Sequence, residues 1–382
     1  MVHLHPDVAW RRSKRGLVLA SPACGSLLFE HPRSAALVDL LADDPDPSRL
    51  RAELGPPLPD DFVDVLLRLD VLTEGGTASA DQRRPHGVEV TASGILLPGV
   101  GGPARWLARL VPGVSSRAGR VALGTVVVAG VAAMLAGRPD LPSVSAHPAI
   151  EALLMLFLTL LIAICHELAH AVALVHYGRE PTRAGFGFYW GALCFYVDST
   201  AALTLTRRQR VTQALVGLAV NVVALSVCAV AAHLCSSPLL AIVFWRVSVL
   251  GLVGVAVNLA PILEVDGHWA LADLLDEPDL APRARRSLAL AMRGRRPEAP
   301  WLAAYGAASL VAGLVLIGTS VYVFWQTTGD LVQALLTGSA TDLLIGLYYV
   351  VPLALGVGVS ALGLLLETAW APAPVATPSG RR

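Results

Sequence analysis

Six apolar runs dictate most of what this chain can become. They are Val121–Ala136, Ile150–Tyr177, Val211–Leu234, Leu239–Leu263, Leu302–Trp325 and Leu343–Trp370. Each approaches the roughly 20 residues an α-helix needs to cross a bilayer. Backbone in hydrocarbon must satisfy its own hydrogen bonds, and a helix does so within one segment. Composition agrees: 54% of the 382 residues are hydrophobic and 15% are charged, against about 25% charged in soluble domains. The expected fold class is mainly α, a polytopic membrane helix bundle of about six spans. The formal net charge is zero, which argues against a nucleic-acid partner. The basic residues near the start lead into no apolar core, so that stretch does not read as a signal peptide.

Charge placement orients the spans. Arg105, Arg109, Arg117 and Arg120 precede the first run, and Arg179, Arg183, Arg207, Arg208 and Arg210 separate the second from the third. A third group, Arg283 to Arg296, lies between the fourth and fifth, and Arg381 and Arg382 follow the sixth. The alternate loops, Gly137–Ala149, Cys235–Pro238 and Gln326–Asp342, hold only Arg138. Lys and Arg mark the cytoplasmic side, which predicts a multi-pass protein of the cell membrane with both termini cytoplasmic. Arg246 falls inside the fourth run and is expected to snorkel to the outer interface. The Arg-rich Arg283–Arg296 stretch needs no explanation beyond this rule.

Residues 1–75 differ in kind. "VAWRRSKRGLVLAS" reads as two short strands turning near Gly16, and "GSLLFE" as a third. "PRSAALVDLLADD" has Leu37, Leu40 and Leu41 at helical spacing, "PDPSRLRAEL" starts a second helix that Pro56–Pro59 stops, and "PDDFVDVLLRLDVL" a third. This predicts a small α+β domain in the cytosol. Residues 76–120 are expected to be a linker (Thr73–Pro85 is polar) followed by a membrane-surface segment carrying Trp106. Residues 121–370 form the membrane domain and 371–382 a tail. The five cysteines contain no C-x-x-C pair, so neither a disulfide framework nor a cysteine-based zinc site is expected. Cys165 is expected to pack against a neighbouring helix.

The chemistry sits in "LLIAICHELAHAVALVHYG", Leu160 to Gly178. Ionisable groups within a membrane span are costly and point to function. H-E-x-x-H on a helix puts His166 and His170 one turn apart on one face, where both can ligate one zinc ion. Glu167 is rotated about 100° from that face, which suits a general base that does not ligate the metal. A third ligand is needed, and His176, Asp198, His233, Glu264, Asp266 and His268 are available. "VAVNLAPILEVDGHWALADLL" is the stronger source: Asn258 interrupts an apolar run, Pro261 breaks the helix, and Asp266–Gly267 mark a turn. Broken helix at membrane depth is tolerated only where protein or a water-filled cavity shelters it. "FGFYWGALCFYVD" is too irregular for a span and reads as a re-entrant hairpin. Ser199, Thr200, Thr204 and Thr206 mark a turn before the third span.

H-E-x-x-H in one membrane helix and N-x-x-P-x-x-x-x-D-G in a later one resemble the intramembrane zinc proteases of the site-2 protease family. The likeness runs from about Ile150 to Leu280. "YVDSTAALTLTRRQRVTQALVG" and "DGHWALADLLDEPDL" resemble a subgroup found with gene clusters for ribosomally made, modified peptides, although "NLAP" stands where that subgroup more often has Asn-x-Asn-Pro. The resemblance implies Zn2+ held by His166, His170 and Asp266, with His268 as the neighbouring alternative to Asp266. It implies Glu167 as catalytic base and Asn258 as a polar group near the substrate carbonyl. The N-terminal pattern resembles the winged-helix leader-binding domains of the pyrroloquinoline-quinone chaperone type, which take a leader peptide as an added strand. The expected activity is hydrolysis of a peptide precursor at or near the membrane, with the precursor bound partly through residues 1–75 and the lipid bilayer as the other partner. The alternatives are proteolysis of a membrane-bound regulator, and a non-catalytic accessory protein for peptide export or immunity.

Overall fold

A computed structural model of the chain describes residues 2–369 apart from 6–7, 15, 22–24, 30, 32, 35, 38, 40–46, 56–61, 70, 75–88, 92–93, 182, 190–191 and 262–263. Leu40, Leu41, the stop at Pro56–Pro59, most of the linker at Thr73–Pro85 and the tail 371–382 lie outside the described residues.

The N-terminal region contains β1 (Val2–Leu4), β2 (Ala9–Ser13), β3 (Gly16–Ser21), β4 (Gly25–Phe29), α1 (Pro47–Leu54), α2 (Phe62–Arg68) and β5 (Leu72–Glu74). The three predicted strands form an antiparallel sheet in the order β2-β3-β4, with Ser13 opposite Gly16 at the first turn. Leu17 and Leu19 face a core with Leu37, Leu54, Phe62, Leu66 and Val71. Val18, on the opposite face, is equally buried. One pairing went unread in the sequence: β1 lies against β5, His3 opposite Thr73, and ties the two ends of the region together.

The rest is helical, with four further strands. In chain order it holds β6 (Glu89–Thr91), β7 (Gly94–Pro98), α3 (Gly101–Ala108), α4 (Val111–Ser115), α5 (Arg117–Leu135), α6 (Pro148–His176), β8 (Arg183–Tyr189) and β9 (Ala192–Val197). A 3-10 turn (Thr200–Thr204) leads into α7 (Arg207–Leu234) and α8 (Pro238–Leu259). Then come α9 (Asp266–Leu275), α10 (Leu280–Met292), α11 (Pro300–Thr337) and α12 (Ala340–Ala369). Among the described residues six helices, α5 to α8, α11 and α12, are long and apolar enough to span a bilayer, so this is a membrane protein. Met155 of α6, Leu218 and Leu225 of α7, Val243 and Val247 of α8, and Leu331 and Leu335 of α11 fill the centre of the bundle.

Four expectations change. The fourth span stops at Leu259 rather than Leu263, because Pro261 has no N–H and Ala260 before it turns extended (ψ 121°). The fifth span does not end at Trp325: α11 continues to Thr337, since Leu331, Val332 and Leu335 bury a helical stripe inside the bundle. Arg246 does not snorkel. It lies 4% exposed within α8 and ion-pairs with Glu151 of α6, which is fully buried. Arg246 also donates to the Ser143 carbonyl at 2.5 Å, and the Ser145 N–H donates to Glu151 at 2.9 Å. Pairing and full hydrogen bonding are what allow two charges to persist away from water. Cys165 is exposed rather than packed inside.

The segment expected to lie on the membrane surface has more structure than its composition announces. β6 and β7 join β8 and β9 in one antiparallel sheet, order β6-β7-β8-β9. The hairpin foreseen around Gly185–Gly191 is therefore half of a four-stranded sheet. Gly185 is required there, because a Cβ would strike the Ile95 carbonyl on β7.

Candidate metal centre

His166 and His170 project from one face of α6 with their Nε2 atoms 3.2 Å apart. Nδ1 of His170 lies 2.7 Å from the Gln213 carbonyl of α7. A carbonyl only accepts, so the proton sits on Nδ1 and the Nε2 lone pair faces His166. α7 comes this close because residue 217 is glycine: a Cβ there would stand 2.5–2.7 Å from ring atoms of both histidines. Nδ1 of His166 is buried without a hydrogen-bond partner among the described residues.

Asp266 approaches from α9. Its Oδ2 is 3.0 Å from His166 Nε2 and 3.5 Å from His170 Nε2. Two bonds hold it: Asn258 Nδ2 donates to Oδ2 at 3.0 Å, and the Asp266 N–H donates to Asn258 Oδ1 at 3.2 Å. The reciprocal pair bridges the break between α8 and α9. Gly267 permits it, since a Cβ would run into the Leu259 carbonyl. Burial alone would raise the Asp266 pKa, but the two imidazoles beside it outweigh this and bring it down to about 2. The residue is an anionic donor.

The donor set fits a metal ion. Ligand atoms held about 2.0–2.1 Å from a tetrahedral centre stand about 3.3 Å apart; the three separations are 3.0, 3.2 and 3.5 Å. Two imidazole lone pairs and a carboxylate oxygen this close repel one another unless a proton or a cation lies among them. Glu167 stands beside the set. Its Oε1 is 3.9 Å from His166 Nε2, and a Glu167 oxygen and the two imidazoles can all offer ligand atoms within 4.8 Å of one another. Its Oε2 accepts the Val197 N–H of β9 at 3.1 Å.

That contact reveals the geometry of β9. The Asp198 N–H donates to the Arg183 carbonyl, so even-numbered residues bond to β8 and residues 193, 195 and 197 turn their backbone groups outward. β9 is the edge of its sheet. A cavity of about 340 Å³ opens beside it, bounded by Glu167, His170 and Asp266 at one end and by Arg210 and Asp273 at the other.

The remaining ligand candidates are elsewhere. His268 is 2% exposed, its Nδ1 turned to the Tyr305 hydroxyl at 3.3 Å, and that hydroxyl donates to the Pro261 carbonyl. Burial lowers the His268 pKa, which keeps the ring neutral. Glu264 pairs with Arg285 at 2.8 Å. His233 bonds to the Ala133 carbonyl, His176 packs on Tyr177, and Asp198 accepts the Thr200 N–H. The turn marked by Ser199–Thr206 is present: Thr206 and Gln209 form a capping box at the start of α7.

The sequence reading missed Gln213, Gly217 and Val197. A glycine within an apolar helix is a signal of close helix approach, and Gly217 carries it. Gln213 and Val197 act through backbone atoms, which leave no trace in residue type. Comparison with protein-family models, curated proteins and solved structures finds no match to this chain.

Proposed function

We propose that the protein is a membrane-embedded zinc endopeptidase that hydrolyses a precursor peptide, in leader removal or maturation of a ribosomally made modified peptide. The observation that carries this reading is the placement of Glu167, which stands against three convergent ligand atoms and at the end of an open strand edge. A structural metal site needs no free carboxylate there and no groove beside it.

His166, His170 and Asp266 would hold the ion, which supplies Lewis acidity to a carbonyl and makes water a nucleophile near neutral pH. Glu167 accepts the proton of the attacking water and delivers it to the leaving amine. Outward N–H and C=O groups of residues 193 and 195 pair with an extended substrate, which presents a bare peptide bond that a helix would shield. Asn258 works through Asp266, fixing its carboxylate by two hydrogen bonds, rather than by reaching the substrate carbonyl. The N-terminal region would be winged-helix-like in this reading, and β4, an edge of the three-stranded sheet among the described residues, would take a leader peptide as an added strand. In this reading both termini are cytoplasmic in the cell membrane.

The test is Glu167→Gln in protein reconstituted with zinc, assayed on a labelled unfolded protein. Cleavage should be abolished while metal stays near one ion per chain. Normal turnover by that variant would overturn the mechanism. A wild-type protein that binds metal and cleaves nothing would point to the non-catalytic accessory role.

A further inference from the structure

The N-terminal region is not held by its linker alone. Arg11 of β2 reaches the far end of α9, the helix that begins with Asp266. Its Nη1 donates to Asp276 Oδ1 at 2.7 Å and its Nη2 stands 3.6 Å from Asp273 Oδ1. The Lys14 N–H donates to Asp276 Oδ2 at 3.0 Å, and Lys14 Nζ to the Leu275 carbonyl at 3.2 Å. Asp276 receives these bonds from a left-handed conformation (φ 57°) that closes α9. Among the described residues it is the only non-glycine residue at positive φ.

Asp273 has a second cation. Arg210 Nε donates to Asp273 Oδ1 at 2.6 Å and Arg210 Nη1 to the Leu205 carbonyl at 2.8 Å. Arg210 lies on α7 one turn before Gln213, whose carbonyl holds His170. The Arg11–Asp273–Arg210 cluster therefore joins the helix that carries Asp266 to the helix that orients His170. A separate observation points the same way. β2 and β3 pack against the 3-10 turn at Thr200–Thr204, and Ala202 and Leu203 of that turn line the same cavity as Glu167 and Asp266.

We propose that the docked N-terminal region, through Arg11, positions the metal centre: its grip on Asp273 and Asp276 holds α9 against α7 and so holds Asp266 against the two histidines. Arg11 is a positioning residue, acting about one helix length from the ligands. Seating and unseating of the region would then set how firmly the metal is held. This rests on the three-ligand reading of the site but not on proteolysis.

Two variants approach the contact from opposite sides. Arg11→Ala alters the N-terminal region, and Asp276→Asn alters α9 while keeping a residue that tolerates left-handed backbone. Zinc-loaded full-length protein in lipid nanodiscs is mixed with excess chelator, and the rate of zinc loss is followed. Each variant should lose zinc about fivefold to tenfold faster, the double variant no faster than the singles, and Arg11→Lys should recover part of the difference. Amide hydrogen exchange in Ala270–Leu275 should rise in parallel. Unchanged zinc loss and unchanged exchange in both singles would overturn the proposal, as would additive effects in the double variant. A wild-type chain that takes up no zinc would sink the ligand assignment instead. Docking would then be judged by exchange alone, where equal protection in wild type and variants overturns it as well.

Discussion

Gln213 contributes a carbonyl, Val197 an N–H and Gly217 the absence of a side chain, yet these decide where the ionisable groups of the site stand. Gly217→Ala should displace one or both imidazoles, because the added carbon has no space beside His166 and His170. Metal affinity should fall at least about tenfold without loss of fold, measured by competition with a chromophoric chelator. Asp266→Ala should lower metal content, whereas His268→Ala should retain it, since the His268 ring is turned to Tyr305. Asn258→Ala should fall between them, by about tenfold to a hundredfold in affinity, as expected of a residue that orients a ligand. Retention of metal by Asp266→Ala and its loss by His268→Ala would transfer the third position to His268. The spacing of His166, Glu167 and His170 was legible because covalent geometry on a helix converts sequence distance into direction. Asp266 was legible only as part of a broken helix, and the backbone donors were not legible at all.

At the scale of elements, β9 makes the most specific claim. Its odd-numbered residues turn N–H groups away from β8, so Phe195→Pro removes an outward donor and leaves the ladder to β8 intact. KM for an extended substrate should rise while kcat and metal content change little. Tyr196→Pro, which removes a ladder N–H, should instead disrupt the sheet. Equal behaviour of the two variants would show that β9 does not pair with substrate. The contact between β2 and α9 makes a prediction about pH. Asp276 is faced by Arg11 and Lys14 from the N-terminal region and by Arg210 from α7, with Asp273 beside it on its own helix. Burial raises its pKa, but the hydrogen bond from Arg11 and the Lys14 N–H outweigh this and hold it below the ordinary carboxylate value. A depressed pKa stabilises the docked form above the undocked value and loses that contribution as pH falls through the docked one. Docking should therefore persist through mild acid and fail only below the ordinary carboxylate range, followed by proteolytic release of the N-terminal region. The sequence showed β2, β3 and β4 and the basic hairpin, but not that this hairpin would find two carboxylates about 260 positions away, because long-range pairing leaves no local periodicity.

For the molecule as a whole, the buried pair Glu151–Arg246 ties α6 to α8. Either charge alone would be stranded, so Glu151→Ala or Arg246→Ala should cost about 3–5 kcal/mol, while Glu151→Leu with Arg246→Met should cost less than either. Thermal unfolding in a fixed detergent compares the three. A rule that counts Lys and Arg in loops has no means of seeing this partner, 95 residues earlier in the chain; that is why Arg246 misled the sequence reading while the number of spans did not.

The spans are also unequal in length. α5 has 19 residues and α11 has 38, about 28 Å and 57 Å at 1.5 Å per residue, around a hydrocarbon layer of about 30 Å. No single lipid suits both. α11 runs well past any bilayer and finds its partners in protein, through Leu331 and Leu335. α5 packs along α7, most closely where Gly130, its one buried residue, lies against Ser226. Acyl-chain length acts on α5 by mismatch: thick bilayers force local thinning around it and thin ones make it tilt. Ser226 lies on the same helix that carries Gln213 and Gly217, so a tilt of α5 would bear on the helix that orients the two histidines.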